Sequence, residues 1–205
     1  EHAPVTAAHR AKMQLEQADV LLKALNYAEV IPETSVDSAA KLLAEAGKVA
    51  GLAKRRNELF VKMLSAFAAL GRHDRVLALT DAVVKPGGEG TLDIRCIRDL
   101  RVRAAGARGE YEKAVREFKA YEKLGKGGDR KALLLYVAEL AAKRNDAELA
   151  LRCYTDLYAY FDPKDDGCKY ERGRVELEMN RWKGKVRKTQ ASDISADEDV
   201  ISLDE

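Results

Sequence analysis

Apolar residues recur at every third or fourth position over most of the chain, the spacing that gathers them on one face of an α-helix. From Thr6 to Glu29 they are Met13, Leu15, Ala18, Leu21, Leu22, Leu25 and Ala28, and Pro32 closes the segment. The run Pro32-Glu33-Thr34-Ser35-Val36-Asp37 offers several N-cap candidates for a second helix carrying Ala39, Leu42, Leu43, Ala46, Val49 and Ala50. Gly51 and the basic Lys54-Arg55-Arg56 mark its expected end, where cations favour the carbonyl pole of the helix dipole. Further helical segments are predicted over Asn57–Leu70, His73–Val84, Leu92–Ala107, Glu110–Leu124, Arg130–Lys143, Asp146–Tyr160 and Cys168–Val186. Alternating β-branched runs are absent, which argues against a sheet.

The connections alternate in length. Gly71-Arg72, Arg108-Gly109 and Arg144-Asn145 are tight, whereas Lys85-Pro86-Gly87-Gly88-Glu89-Gly90 and Lys126-Gly127-Gly128 are longer and glycine-rich. A tight turn joins the two helices of a hairpin, and a looser one joins hairpins. Gly71-Arg72-His73-Asp74-Arg75-Val76-Leu77 aligns with Gly109-Glu110-Tyr111-Glu112-Lys113-Ala114-Val115 and with Asn145-Asp146-Ala147-Glu148-Leu149-Ala150-Leu151, at spacings of 38 and 36 residues. Nine residues past each turn stand Thr80, Phe118 and Tyr154. A small residue at the turn suits a left-handed helix end, and a small apolar residue five positions on lets the second helix approach the first. Such periods mean stacked hairpins, each burying one face on its neighbours.

The stretch from Leu59 to Arg72, continued by Val76-Leu77-Ala78-Leu79, resembles a pentatricopeptide repeat, as does Leu100 to Lys126. Tetratricopeptide repeats are the close alternative. The resemblance covers about half the chain, Asn57 to Asp162, and implies an all-α, right-handed α-solenoid. Its expected organisation is an N-terminal hairpin over 1–56, three repeats over 57–162, a capping helix over 163–190 and an acidic, disordered tail over 191–205. Pentatricopeptide proteins bind single-stranded RNA through a hydrogen-bonding residue about ten positions before the turn glycine. Here those positions hold Val61, Asp99 and Leu135. Valine and leucine cannot hydrogen-bond a base edge, so the resemblance keeps the architecture without the code and implies a protein partner.

Charge adds detail without demanding nucleic acid or membrane. The 205 residues carry a formal net charge of +2 at a charged fraction of 34%. From Asp93 to Lys131, however, twelve Lys and Arg face seven Asp and Glu. Arg95, Arg98 and Arg101 lie on successive turns of one helix, which makes them candidate partner-binding residues for an acidic surface. The alternative is a solvated face with local pairs such as Glu112–Arg116. Basic residues return at Arg181, Lys183, Lys185, Arg187 and Lys188, followed by six acids and no base from Ser192 to Glu205. Within that tail Val200-Ile201-Ser202-Leu203 is a short β-prone island. It could add to a partner as a strand, and it looks like a SUMO-interacting motif, or it is part of a plain solubilising tail. Trp182 is either the cap of the last hairpin or an interface anchor.

The chemistry of catalysis is not legible. His2, His9 and His73 are scattered, and neither GxxxxGK[ST] nor GxGxxG occurs. Cys96, Cys153 and Cys168 have no metal-ligand spacing. No cofactor and no membrane span are expected. The chain therefore reads as a non-catalytic scaffold or accessory subunit of a larger assembly. Its size, repeat number and missing code resemble the pentatricopeptide-like accessory subunits on the catalytic head of the euglenozoan mitochondrial ATP synthase. That likeness implies α and β subunits as partners, a location in the mitochondrial matrix and a presequence already removed, in keeping with a start at Glu1. An organellar RNA-binding protein and a peptide-binding tetratricopeptide adaptor are the competing expectations.

Overall fold

A computed structural model describes residues 6–24, 32–46, 51–81, 83–84, 93–125 and 129–198, with side chains through 189. The described residues form nine α-helices and no strand: α1 (Ala7–Ala24), α2 (Glu33–Glu45), α3 (Ala53–Ala69), α4 (His73–Thr80), α5 (Ile94–Ala107), α6 (Tyr111–Glu122), α7 (Arg130–Lys143), α8 (Ala147–Tyr158) and α9 (Lys169–Glu198). A short 3-10 turn, Asp166–Cys168, leads into α9.

The periodic segments coincide with helices, and the departures have physical causes. Lys54, Arg55 and Arg56 open α3 instead of closing α2. Cations at the positive pole of a helix are unfavourable, but Arg55 gains a 2.7 Å pair with the buried carboxylate of Asp19 on α1. Lys23 and Lys62 face the same carboxylate at 2.9 and 3.8 Å. The hydrogen bond from Lys23, with the charges of Lys23, Arg55 and Lys62, holds Asp19 below the ordinary carboxylate range against the opposing effect of burial. The expected caps of α2 are not used. Pro32 is the N-cap and makes no side-chain bond. Asp93, Asp129 and Asp146 cap α5, α7 and α8, accepting from the amides of Cys96, Ala132 and Leu149.

Three turns share one geometry. Gly71, Gly109 and Asn145 sit at φ of +71°, +76° and +56°. After each, the next amide reaches back five residues: Arg72 to Phe67, Glu110 to Ala105 and Asp146 to Ala141. The turn residues themselves donate to Ala68, Gly106 and Ala142. This is the Schellman arrangement, which satisfies the last carbonyls of the first helix and redirects the chain. Val76, Ala114 and Ala150, five residues on, are fully buried. Thr80, Phe118 and Tyr154, nine residues on, are buried too.

A Cβ at Gly71 would meet nothing within 4 Å. Gly71→Ala is therefore expected to cost only the left-handed backbone penalty, about 1–2 kcal/mol. Gly71→Asn, the residue used at 145, should cost less. Urea unfolding should shift its midpoint without a change in slope.

Two compact units divide the chain, Glu1–Lys126 and Gly127–Glu205. The division falls within the glycine-rich Lys126-Gly127-Gly128 connection. In the first unit α1 packs on α2, and both pack on α3; α3 meets α4 and α5, α4 meets α5, and α5 pairs with α6. Leu59, Met63, Leu64 and Phe67 fill the centre of α3, each burial stabilising by about 1.5–3 kcal/mol. In the second unit α7 pairs with α8, and α8 packs on α9. Leu133, Leu134, Val137, Ala138 and Ala141 turn one broad face of α7 inward.

Candidate protein-interaction site

Arg95, Arg98 and Arg101 share one face of α5, as their spacing requires, but that face looks into the first unit. Arg95 donates to the carbonyls of Leu124 (2.5 Å) and Gly125 (2.7 Å), satisfying the end of α6, and lies over the Tyr121 ring. Arg98 pairs with Glu117 and donates to the Val84 carbonyl at 3.1 Å. Arg101, with a side chain 4% exposed, pairs with Glu117 at 2.7 Å and Asp81 at 2.8 Å. It also donates to Thr80 Oγ1 (2.7 Å) and the Leu77 carbonyl (3.1 Å). Burial alone would raise the Glu117 carboxyl; hydrogen bonds and charge from Arg101 and Arg98 overcome it and hold the group below its ordinary value. Burial likewise opposes the charge on Arg101, and its bonds to Glu117 and Asp81 outweigh it. These arginines tie α4, α5 and α6 together. The guanidiniums expected to form a docking stripe thus spend their hydrogen bonds within the first unit.

Trp182 is 2% exposed on α9. Its ring lies beneath Lys185 at 4.1 Å and near Arg181 at 5.8 Å. Lys185 reaches Asn145 Oδ1 in the α7–α8 turn, and Arg172 donates to the Tyr158 hydroxyl at 2.8 Å. Trp182 and Val175, seven residues apart, form the inward stripe of α9. Trp182 thus packs inside the second unit. The expected end of the capping helix at 190 is exceeded, because α9 runs on to Glu198. No glycine or proline interrupts Arg187 to Glu198, and the alanines, glutamine and glutamate there favour helix. Val200, Ile201 and Leu203 lie outside the described residues.

Beside this stripe the second unit opens a groove of about 640 Å³. Tyr154, Leu157 and Phe161 form its floor, with Ala132 and Leu135 on one wall and Val175 and Leu177 on the other. Leu135 is 41% exposed and Leu177 72%. At one end Lys131 pairs with Glu171 at 3.2 Å and covers the Phe161 ring at 4.3 Å. At the other, Glu139 and Glu178 flank Tyr154, whose pKa is raised first by burial and then by these two carboxylates. The lining holds four acids (Asp129, Glu139, Glu171, Glu178) and two bases (Lys131, Arg174). A second apolar patch, in the first unit, exposes Met13 and Val20 of α1 beside Leu42 of α2.

The three positions expected to read bases differ in surroundings and chemistry. Val61 is half-buried, Asp99 is tied to Arg103 at 2.6 Å, and Leu135 is a wall of the groove. Cys96 and Cys168 are both shifted away from the thiolate, Cys168 first by its hydrogen bond to Asp165. Burial and Asp93 push Cys96 up to about 11, and Cys153 is buried. A thiol protonated at neutral pH is a poor nucleophile. Among the described residues no helix is long and apolar enough to cross a membrane.

The groove residues Leu177, Glu139 and Glu178 were not singled out by the sequence. One signal was available: Leu177 is apolar yet lies off the Val175–Trp182 stripe, so the helix cannot bury it with them. No family model, curated protein or solved structure matches this chain.

Proposed function

We propose that the chain is a non-catalytic helical-repeat scaffold, its hairpins stacked as a pentatricopeptide- or tetratricopeptide-like α-solenoid, that serves as an accessory subunit of a larger protein assembly. The observation that carries this reading is Leu135. At the position where such repeats read a base, this chain places an exposed leucine on the wall of an apolar groove. An apolar wall offers contact area to a protein side chain and no hydrogen bond to a base. The repeated Schellman turns at 71, 109 and 145 support the stacked-hairpin arrangement. The finer placement, on the catalytic head of a mitochondrial ATP synthase with α and β subunits as partners, rests on the resemblance in size, repeat number and missing code.

The test is an affinity pull-down from a mitochondrial lysate of the source, with and without RNase, washed at high salt. Phosphate-driven complexes weaken by about 10³–10⁵ between 50 and 200 mM salt when six to ten phosphates are contacted. Stoichiometric protein subunits are expected to survive both treatments, and single-stranded RNA is expected to bind no tighter than about micromolar. A nanomolar, sequence-selective RNA complex would overturn the scaffold reading.

A further inference from the structure

We propose that the groove of the second unit receives one amphipathic, basic helix of a partner protein, an inference that deepens and rests on the scaffold reading above. Three observations lead there.

The first is the place of the groove in the fold. Within the first unit the successive hairpin helices α3 and α5 pack against each other. In the second unit α7 and α9 each pack on α8, meet through Lys131 and Glu171, and do not pack along one another. The space between them is the groove. α9 also has no following helix among the described residues, whereas α5 and α7 pair with α6 and α8. Leu177 is left facing outward on its wall.

The second is the chemistry of the walls. All three sides are helices or the residues closing them, and helical backbone has already satisfied its own hydrogen bonds. An extended peptide would bury amides with no acceptor and carbonyls with no donor. A helix brings its backbone bonds with it and presents side chains alone. Leu135 and Leu177, with the floor of Tyr154, Leu157 and Phe161, accept apolar residues one turn apart.

The third is charge. The lining carries two more acids than bases. Lys131 is engaged by Glu171, while Glu139 has no ion-pair partner among the described residues. Glu178 stands with it at the Tyr154 end and pairs with the exposed Arg181 at 3.5 Å, and Arg174 lies near the same ring. A lysine or arginine one or two turns beyond the apolar anchors would reach this end.

The experiment places a photoreactive p-benzoylphenylalanine at Leu177, and separately at Leu135, in the full chain. Each is irradiated in the same lysate, and the adducts are sequenced by mass spectrometry. Expected is a segment of another protein with apolar residues three or four apart and an excess of Lys and Arg. Its yield should fall at least about tenfold in Glu139→Lys/Glu178→Lys, because like charges repel across the contact. Both carboxylates are surface groups, and Glu139→Gln/Glu178→Gln gives a milder pair should the lysines disturb the fold. An adduct on an acidic or extended segment, an adduct on a second copy of this chain, a basic adduct indifferent to both charge variants, or no adduct from either position would each sink the proposal. If the pull-down still retains its subunits in those cases, the scaffold reading stands and only the groove assignment falls.

Discussion

Trp182→Ala is expected to cost about 3–5 kcal/mol, the range for emptying a buried tryptophan site. The indole is 2% exposed, and beyond it α9 has no other fully buried anchor among the described side chains. Its loss leaves Val175 alone to hold the helix. Arg172–Tyr158 and Lys185–Asn145 would remain, but partly and fully exposed polar contacts of this kind are worth about 1 kcal/mol or less each. Hydrogen exchange should therefore show α9 losing protection while α1 to α6 keep theirs. Trp182→Phe separates packing from polarity. The indole N–H is buried without an acceptor among the described residues, so removing it while keeping an aromatic ring should stay within about 1.5 kcal/mol of wild type. Comparable losses for both variants would mean that the N–H has a partner and that packing is not the main contribution.

The second large effect lies in the first unit. Arg101 stands eight residues before the Gly109 turn, where Met63 and Val137 stand buried before the turns at Gly71 and Asn145; Glu117 stands eight residues after it, where Leu79 and Cys153 follow those turns. Around Gly109 an ion pair thus takes the place of an apolar pair at matched positions. Removing one partner of a buried pair typically costs 3–5 kcal/mol, whereas replacing both by apolar residues is often neutral. Arg101→Met is expected near the lower bound, about 3 kcal/mol, because Arg98 still faces Glu117. Glu117→Leu should cost about as much, leaving two guanidiniums without their shared acceptor. The double variant is expected to cost less than the sum of the two single losses, the remainder reflecting Arg98, which still lacks Glu117, a coupling readable in a denaturation cycle. Additive losses would mean the pair is not interchangeable with the neighbours' apolar contacts.

The same cycle predicts a pH dependence. Glu117 is held below the ordinary 4.5 in the folded state, so its contribution is fully present above that pH. It is lost as pH falls through the folded value. The double variant should lack this part of the acid sensitivity. The part due to Asp19, held below 3.8 by Lys23, Arg55 and Lys62, should persist in it.

Much of this molecule follows from local rules that a sequence carries openly. The apolar periodicity of α7 matches its helix residue for residue, Arg130 to Lys143, because it begins at a capping aspartate and ends at a left-handed asparagine. The turns at Gly71, Gly109 and Asn145 were equally legible, since few residues accept positive φ and their spacing repeats. Local rules failed where a distant group outweighed them. The basic start of α3 is unfavourable on its own terms, and only Asp19, 36 residues earlier, makes it tolerable. Spacing likewise put Arg95, Arg98 and Arg101 on one face of a helix, yet could not say which way that face points. The direction was decided by Glu117, Asp81 and the carbonyls of α4 and α6, brought there by packing. The groove belongs to the same class. Leu135, Leu177, Glu139 and Glu178 sit on two helices separated by a third, and no period along the chain relates them. Helix and turn are set by neighbours within a few residues, so the sequence alone determined them; a pair or a groove is set by which faces meet, and that only the tertiary structure decided.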